Sequence, residues 1–186
     1  SVAEPRAELS GKTRAYVRDG VALTAGSLEI EAGEGTDHVQ YNAAATTFLL
    51  SLGGVASVST LTADALVDGT VEAYFGAPFD GPATGGAGAA DIAGAVTIDA
   101  WSDMNAVATL DNDGDGPLPG ISGNLSGLAS ISIFDSLSDV AGTTRAFVGQ
   151  GGALGAATLD VKADGDYDAN SDTAAAAISG DRKSTR

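Results

Sequence analysis

One phrase occurs three times in this chain, and its recurrence limits the fold more than any other feature. Thr13-Arg-Ala-Tyr-Val17 with Ala25-Gly-Ser-Leu-Glu-Ile-Glu-Ala32 returns as Val71-Glu-Ala-Tyr-Phe75 with Ala93-Gly-Ala-Val-Thr-Ile-Asp-Ala100. It returns again as Thr144-Arg-Ala-Phe-Val148 with Ala156-Ala-Thr-Leu-Asp-Val-Lys-Ala163. A further phrase, Gly54-Val-Ala-Ser-Val-Ser59 leading to Asp68-Gly-Thr70, matches Gly127-Leu-Ala-Ser-Ile-Ser132 leading to Ala141-Gly-Thr143. Such self-similarity marks a repeat architecture, in which each unit buries its apolar face against its neighbour. Ala15 to Ile30, Ala146 to Val161, Val58 to Ala73 and Ile131 to Ala146 are all 15 residues apart, whereas Ala73 to Ile98 is 25. Ile30 to Val58 is 28 and Ile98 to Ile131 is 33, so the spacing reduces to a 58-residue unit. The second unit then carries ten extra residues in one gap and five in the other.

Within the phrases apolar and polar residues alternate, the period of a half-buried strand. Leu28, Ile30 and Ala32 face inward, as do Val96, Ile98 and Ala100, then Leu159, Val161 and Ala163. Glu29 and Glu31, Thr97 and Asp99, then Asp160 and Lys162 face outward. A one-residue slip would place every apolar side chain in water, so the phase is strongly specified. Ala56 and Val58 are inward in the further phrase, echoed by Ala129, Ile131 and Ile133. Val39 to Tyr41 is a possible strand, and Ala43 to Leu50 reads as either helix or buried strand.

The expected fold is all-β: a parallel β-helix, or β-solenoid, spanning 1–186 as a single segment with two inserted loops. Its units run roughly 12–69, 70–142 and 143–186, the last incomplete. An antiparallel sandwich is the main rival, but it gives no reason for a repeat truncated in mid-unit. Taken as roughly three coils, a 58-residue unit would advance about 14 Å. The outward sets Arg14, Glu72, Arg145 and Tyr16, Tyr74, Phe147 could form a carbohydrate-binding strip, but on that spacing they could not stack, and ordinary packing against neighbouring strands or loops is the favoured reading. The glycine- and proline-rich stretch Gly76 to Ile92 is expected as an extruded loop. A third motif of the last unit would centre near residue 189, beyond Arg186, which suggests excision from a longer array.

Composition narrows the function classes. With 25 acidic and 9 basic residues the net charge is −16, which repels nucleic acid and anionic membranes. No run of about 18 apolar residues is present, so membrane insertion is not expected. There is no cysteine to form a disulfide or bind zinc, and His38 is the sole histidine, which argues against a zinc site or a Ser-His-Asp triad.

The Gly-x-Ala-Ser-Val-Ser, Asp-Gly-Thr-x-x-Ala-Tyr-x-Gly and Ala-Gly-x-Leu-x-Ile-x-Ala phrases resemble the repeats of large bacterial filamentous adhesins. These are haemagglutinin-like and leukotoxin-type surface proteins, with autotransporter passengers a looser likeness. The resemblance covers about residues 12 to 166 and implies a secreted or surface-attached β-helical segment without catalysis. Its implied partners are neighbouring repeats of the same chain and a host or matrix glycan or protein.

The strongest motif for chemistry is Asp111-Asn-Asp-Gly-Asp-Gly116. Asp111, Asp113 and Asp115 at alternate positions of a tight loop suit calcium, which takes six to eight oxygen ligands. Ser122 stands where an EF-hand has its bidentate Glu, and Pro117 and Pro119 preclude the exiting helix, so any such loop is of another kind. Asp164, Asp166 and Asp168 form a weaker echo. The alternative to a calcium site is an acidic turn. The expected function is a structural or adhesive stalk segment of an extracellular or cell-surface protein. A calcium-dependent glycan- or protein-binding module is the alternative, and a polysaccharide-acting β-helix enzyme comes third. Trp101 is expected to cover an edge of the stack.

Overall fold

A computed structural model describes residues 2–33, 39–48, 50–53, 56–85, 88–111, 123–126 and 129–173. Those residues form strands β1 (Val2–Ala3), β2 (Arg6–Arg18), β3 (Leu23–Ala25), β4 (Leu28–Ala32), β5 (Val39–Phe48) and β6 (Leu50–Gly53). They continue as β7 (Ala56–Gly76), β8 (Gly88–Asp111), β9 (Gly123–Ser126), β10 (Ala129–Val140), β11 (Thr143–Val148) and β12 (Gly152–Thr173). No helix occurs among the described residues, and all the strand pairings there are parallel. The chain is all-β, and the segment from Val39 to Phe48 is strand rather than helix.

The strands form three layers. In one sheet β7 lies between β1 and β2 on one side and β10 and β11 on the other. In the second sheet β8 lies between β3, β4 and β5 on one side and β12 on the other, while β6 pairs β9 separately. The repeated phrases are hydrogen-bonded neighbours: Ala15 opposes Ala73, which opposes Ala146, and Ile30 opposes Ile98, which opposes Val161. Val58 likewise opposes Ile131.

This register corrects the expected rise. Equivalent residues of successive units are one strand spacing apart, about 4.8 Å, not about 14 Å. Each unit supplies one layer instead of three coils, because its strands are long: β7 has 21 residues and β8 has 24. At about 3.3 Å per residue such a strand has a contour of about 70 Å, and the two together take up most of a 58-residue unit within one layer.

The register also relocates the insertions. From Val17 opposite Phe75 to Leu28 opposite Val96, the offset grows from 58 to 68, the expected ten residues. Between Ala32 opposite Ala100 and Val39 opposite Ser102 it falls to 63, so unit one carries five residues that unit two lacks. Between Phe48 opposite Asp111 and Leu50 opposite Gly123 it rises to 73. The apparent five-residue insertion is therefore a ten-residue insertion offset by five residues in the first unit.

Both long sheets contribute to one apolar core. Leu61, Ala63, Ala65, Val67, Val71, Ala73 and Phe75 of β7 meet Val96, Ile98, Ala100, Met104, Ala106, Ala108 and Leu110 of β8, all nearly or fully buried. In-register stacking puts like side chains above one another: Ala43 over Ala106, Ala45 over Ala108. Ile30 and Ala32 are buried as expected, but Leu159, Val161 and Ala163 are exposed, Leu159 by 51% and Val161 by 39%. They occupy the inward phase, yet β12 is the last layer and pairs only with β8, so nothing among the described residues covers them. Ile133 in β10 is exposed for the same reason.

Candidate binding cleft

The cleft starts from one row of outward residues on the first sheet. Arg14, Glu72 and Arg145 are register partners, as are Tyr16, Tyr74 and Phe147. At one strand spacing they do touch, against the sequence expectation. The rings of Tyr16 and Tyr74 stack at 5.1 Å and 6°, and those of Tyr74 and Phe147 at 5.0 Å and 9°. The Glu72 side chain, essentially buried, receives a hydrogen bond from Arg14 Nε at 2.7 Å and one from Arg145 Nη1 at 3.2 Å. A buried carboxylate costs several kcal/mol of desolvation unless paired, and here a guanidinium from the layer on each side supplies the pairing.

The stretch Gly76 to Gly85 folds back over this row instead of projecting into solvent, which corrects the extruded-loop expectation. Ala77 N donates to Gln150 O at 2.9 Å, and Gly81 N donates to Pro78 O at 3.3 Å, closing a turn. Phe79 packs edge-on against Phe147 at 6.0 Å, with the Arg145 guanidinium 4.2 Å from its ring centre. Asp80 crosses to the first layer, accepting from Lys12 Nζ at 2.8 Å and Arg14 Nη2 at 3.2 Å. At the far end Gly85 N donates to Asp19 Oδ2. A Cβ at Gly85 would lie 2.4 Å from the Asp19 carbonyl oxygen, so only glycine permits that approach. The glycines and prolines thus shape a path close to the sheet, while Phe79 and Asp80 fasten it.

This crossing leaves a cleft on each side. One, of about 290 Å³, lies between the loop and β2, lined by Arg14, Tyr16, Arg18, Asp19 and Tyr74 with Pro82 opposite. The other, of about 400 Å³, lies toward the third layer beside Phe79, Phe147 and Gln150. Burial opposes the charge on Arg14, but its bond to Glu72 and the attraction of Glu72 and Asp80 raise its pKa above the usual value. Burial pushes the Tyr74 hydroxyl up, against the opposing pull of Arg14. The Lys12 hydrogen bond, aided by the charges of Lys12 and Arg14, holds Asp80 below the usual carboxylate range. Among the described residues Arg18 has no ion-pair partner. Asp19, 5% exposed, keeps Oδ1 without a hydrogen-bond partner there.

The acidic motifs lie elsewhere. Asp111 ends β8, while Asp113 and Asp115 fall outside the described residues, as does His38. Asp164, Asp166 and Asp168 occupy alternate positions of extended β12, opposite Trp101, Asp103 and Asn105. Alternate residues of a strand are about 6.6 Å apart, so these three form a row rather than a convergent loop. No group of three or more metal-binding side chains occurs among the described residues. Trp101 is partly buried on β8 beneath Lys162, whose Nζ is 3.8 Å from the ring centre.

Sequence reasoning singled out this row as a strip of aromatics and charges but set it aside because it separated the layers by about 14 Å, and it did not anticipate the cleft under the loop. The alternating signs of Arg14, Glu72 and Arg145 were the available signal that these residues are direct neighbours. No family model, no curated protein and no solved structure matches this chain.

Proposed function

We propose that this chain is a parallel β-solenoid segment of a secreted or cell-surface repeat protein, with a structural and adhesive role. The observation that carries the reading is the in-register pairing of repeat-equivalent residues across three layers, Ala15 to Ala73 to Ala146. A long apolar interior with an acidic exterior suits a rigid scaffold exposed to solvent. Gaining only about 4.8 Å per unit, such a stack is an inefficient spacer and a broad platform. The weight therefore falls on presentation, with the loop over the Arg14 row as the presented feature.

Glu29 and Asp160 lie two layers apart in one row, flanking Thr97. Nitroxide labels at Glu29→Cys and Asp160→Cys are therefore expected about 10 Å apart, with strong dipolar broadening. Spectra without broadening, as an antiparallel sandwich with distant strands would give, would refute the stacked arrangement.

A further inference from the structure

We propose that the cleft between the loop and β2 is a binding site for a carboxylate-bearing sugar residue, a uronate-type unit of an acidic glycan. This rests on the scaffold reading only for its context; the cleft itself is built by the contacts of the loop.

Three features select that ligand. Arg18 is exposed at the rim and has no ion-pair partner among the described residues, whereas Arg14 is already bonded to Glu72 and Asp80. A single available guanidinium presents a planar fork matching a carboxylate, while phosphate- and sulfate-rich ligands are met by clusters of cations. Next to it, Tyr16 is the end of the aromatic row. One face stacks on Tyr74 and the residue stays 45% exposed, leaving a surface on which the C–H face of a sugar can lie. The volume, about 290 Å³, is near the lower limit for ligand clefts and admits one sugar ring with its substituents rather than a long chain. In a chain of net charge −16 the attraction for an acid must be local, and the Arg18 guanidinium at the rim makes it so.

The test is calorimetric titration of the whole chain at low salt with trigalacturonate, with neutral galactotriose and with a sulfated galactose trisaccharide. Trigalacturonate is expected to bind, galactotriose at least about tenfold more weakly, the factor one charge-assisted bond supplies. Arg18→Ala is expected to lose about tenfold toward the acidic sugar, with Arg18→Lys intermediate and Tyr16→Ala weakened toward both sugars. Arg6→Ala, which removes an exposed arginine paired with Glu8 on the same strand, serves as the charge control and leaves binding unchanged. Equal binding of acidic and neutral sugars, preference for the sulfated one, no binding, or an unaffected Arg18→Ala variant would each overturn the assignment. Far-UV circular dichroism of every variant keeps loss of fold separate, and the label pair at Glu29 and Asp160 tests the scaffold independently.

Discussion

The first and third layers carry nearly the same repeated phrases, yet in the second sheet one is sealed and the other is open. Ile30, Ala32, Tyr41, Ala43 and Ala45 of the first layer are buried, while their counterparts on β12 are exposed. The difference follows from the direction in which large side chains lean. A Cβ at Gly69 would lie 2.9 Å from the Tyr41 ring, one at Gly142 would overlap Met104 Sδ, and one at Gly152 would lie 2.8 Å from the Phe75 ring. In each case a bulky side chain occupies the place above a glycine of the following layer. The first layer is therefore covered by the second, and the second by the third. Tyr167, the counterpart of Tyr41 and Met104, instead lies across Gly165 of its own strand and bonds Thr144 at 2.6 Å. Identical sequence patterns thus have unequal energetic weight, set by position in the stack.

One register row tests this most severely. Ile98→Ala is expected to cost about 2–5 kcal/mol through lost burial and a residual cavity, and Ile30→Ala to fall toward the lower end. Val161→Ala, 39% exposed, is expected below about 1 kcal/mol. Urea denaturation measures all three; equal losses at positions 30 and 161 would remove the distinction between the ends.

Glycine substitutions come next. Gly69→Ala must displace the buried Tyr41 ring and is expected to cost about 1–3 kcal/mol. Gly165→Ala meets only Tyr167, which can swing toward solvent, so its thermal melting should be nearly unchanged. A smaller contrast concerns two hydroxyls. Tyr41 bonds Thr13 at 3.1 Å in a nearly buried setting, so Tyr41→Phe should cost about 1 kcal/mol, and Tyr167→Phe at the exposed end only a few tenths.

The smallest effect is pH-dependent. Burial, with repulsion from Asp160 and Glu29, raises the pKa of Asp99, while Lys162 of the third layer lowers it. A raised carboxylate contributes stability in its protonated form, lost as pH climbs through the folded-state value. Asp80, held low, does the reverse: its contribution is present above the ordinary Asp range and lost as pH falls through its depressed value. Asp99→Asn should therefore raise stability at neutral pH by less than about 1 kcal/mol, and by more when Lys162→Gln has removed the opposing charge. A double-mutant cycle in denaturant reads both.

Much of this was legible in the sequence. The phrase alignment identified register partners residue by residue, because alternation fixes the phase and the 15-residue intervals fix the pairing. The number of coils per unit was not legible, since three short circuits and one long circuit give the same 58-residue period; only the Arg14, Glu72, Arg145 sign pattern separates them. Spacing also reports net differences alone, so five residues near Gly33 masked half of the insertion beyond Asp111. Phe79 and Asp80 acquire meaning only once Phe147 and Lys12 are known to flank one row.

That row has an arithmetic outcome. Its signs alternate and its members are three, so both extremities are positive. A second molecule continuing the pile in register would bring Arg145 against Arg14, Asp160 against Glu29 and Asp139 against Glu8, like facing like. At these three positions the ladder that fastens three tiers of one chain thus opposes a duplicate as the fourth.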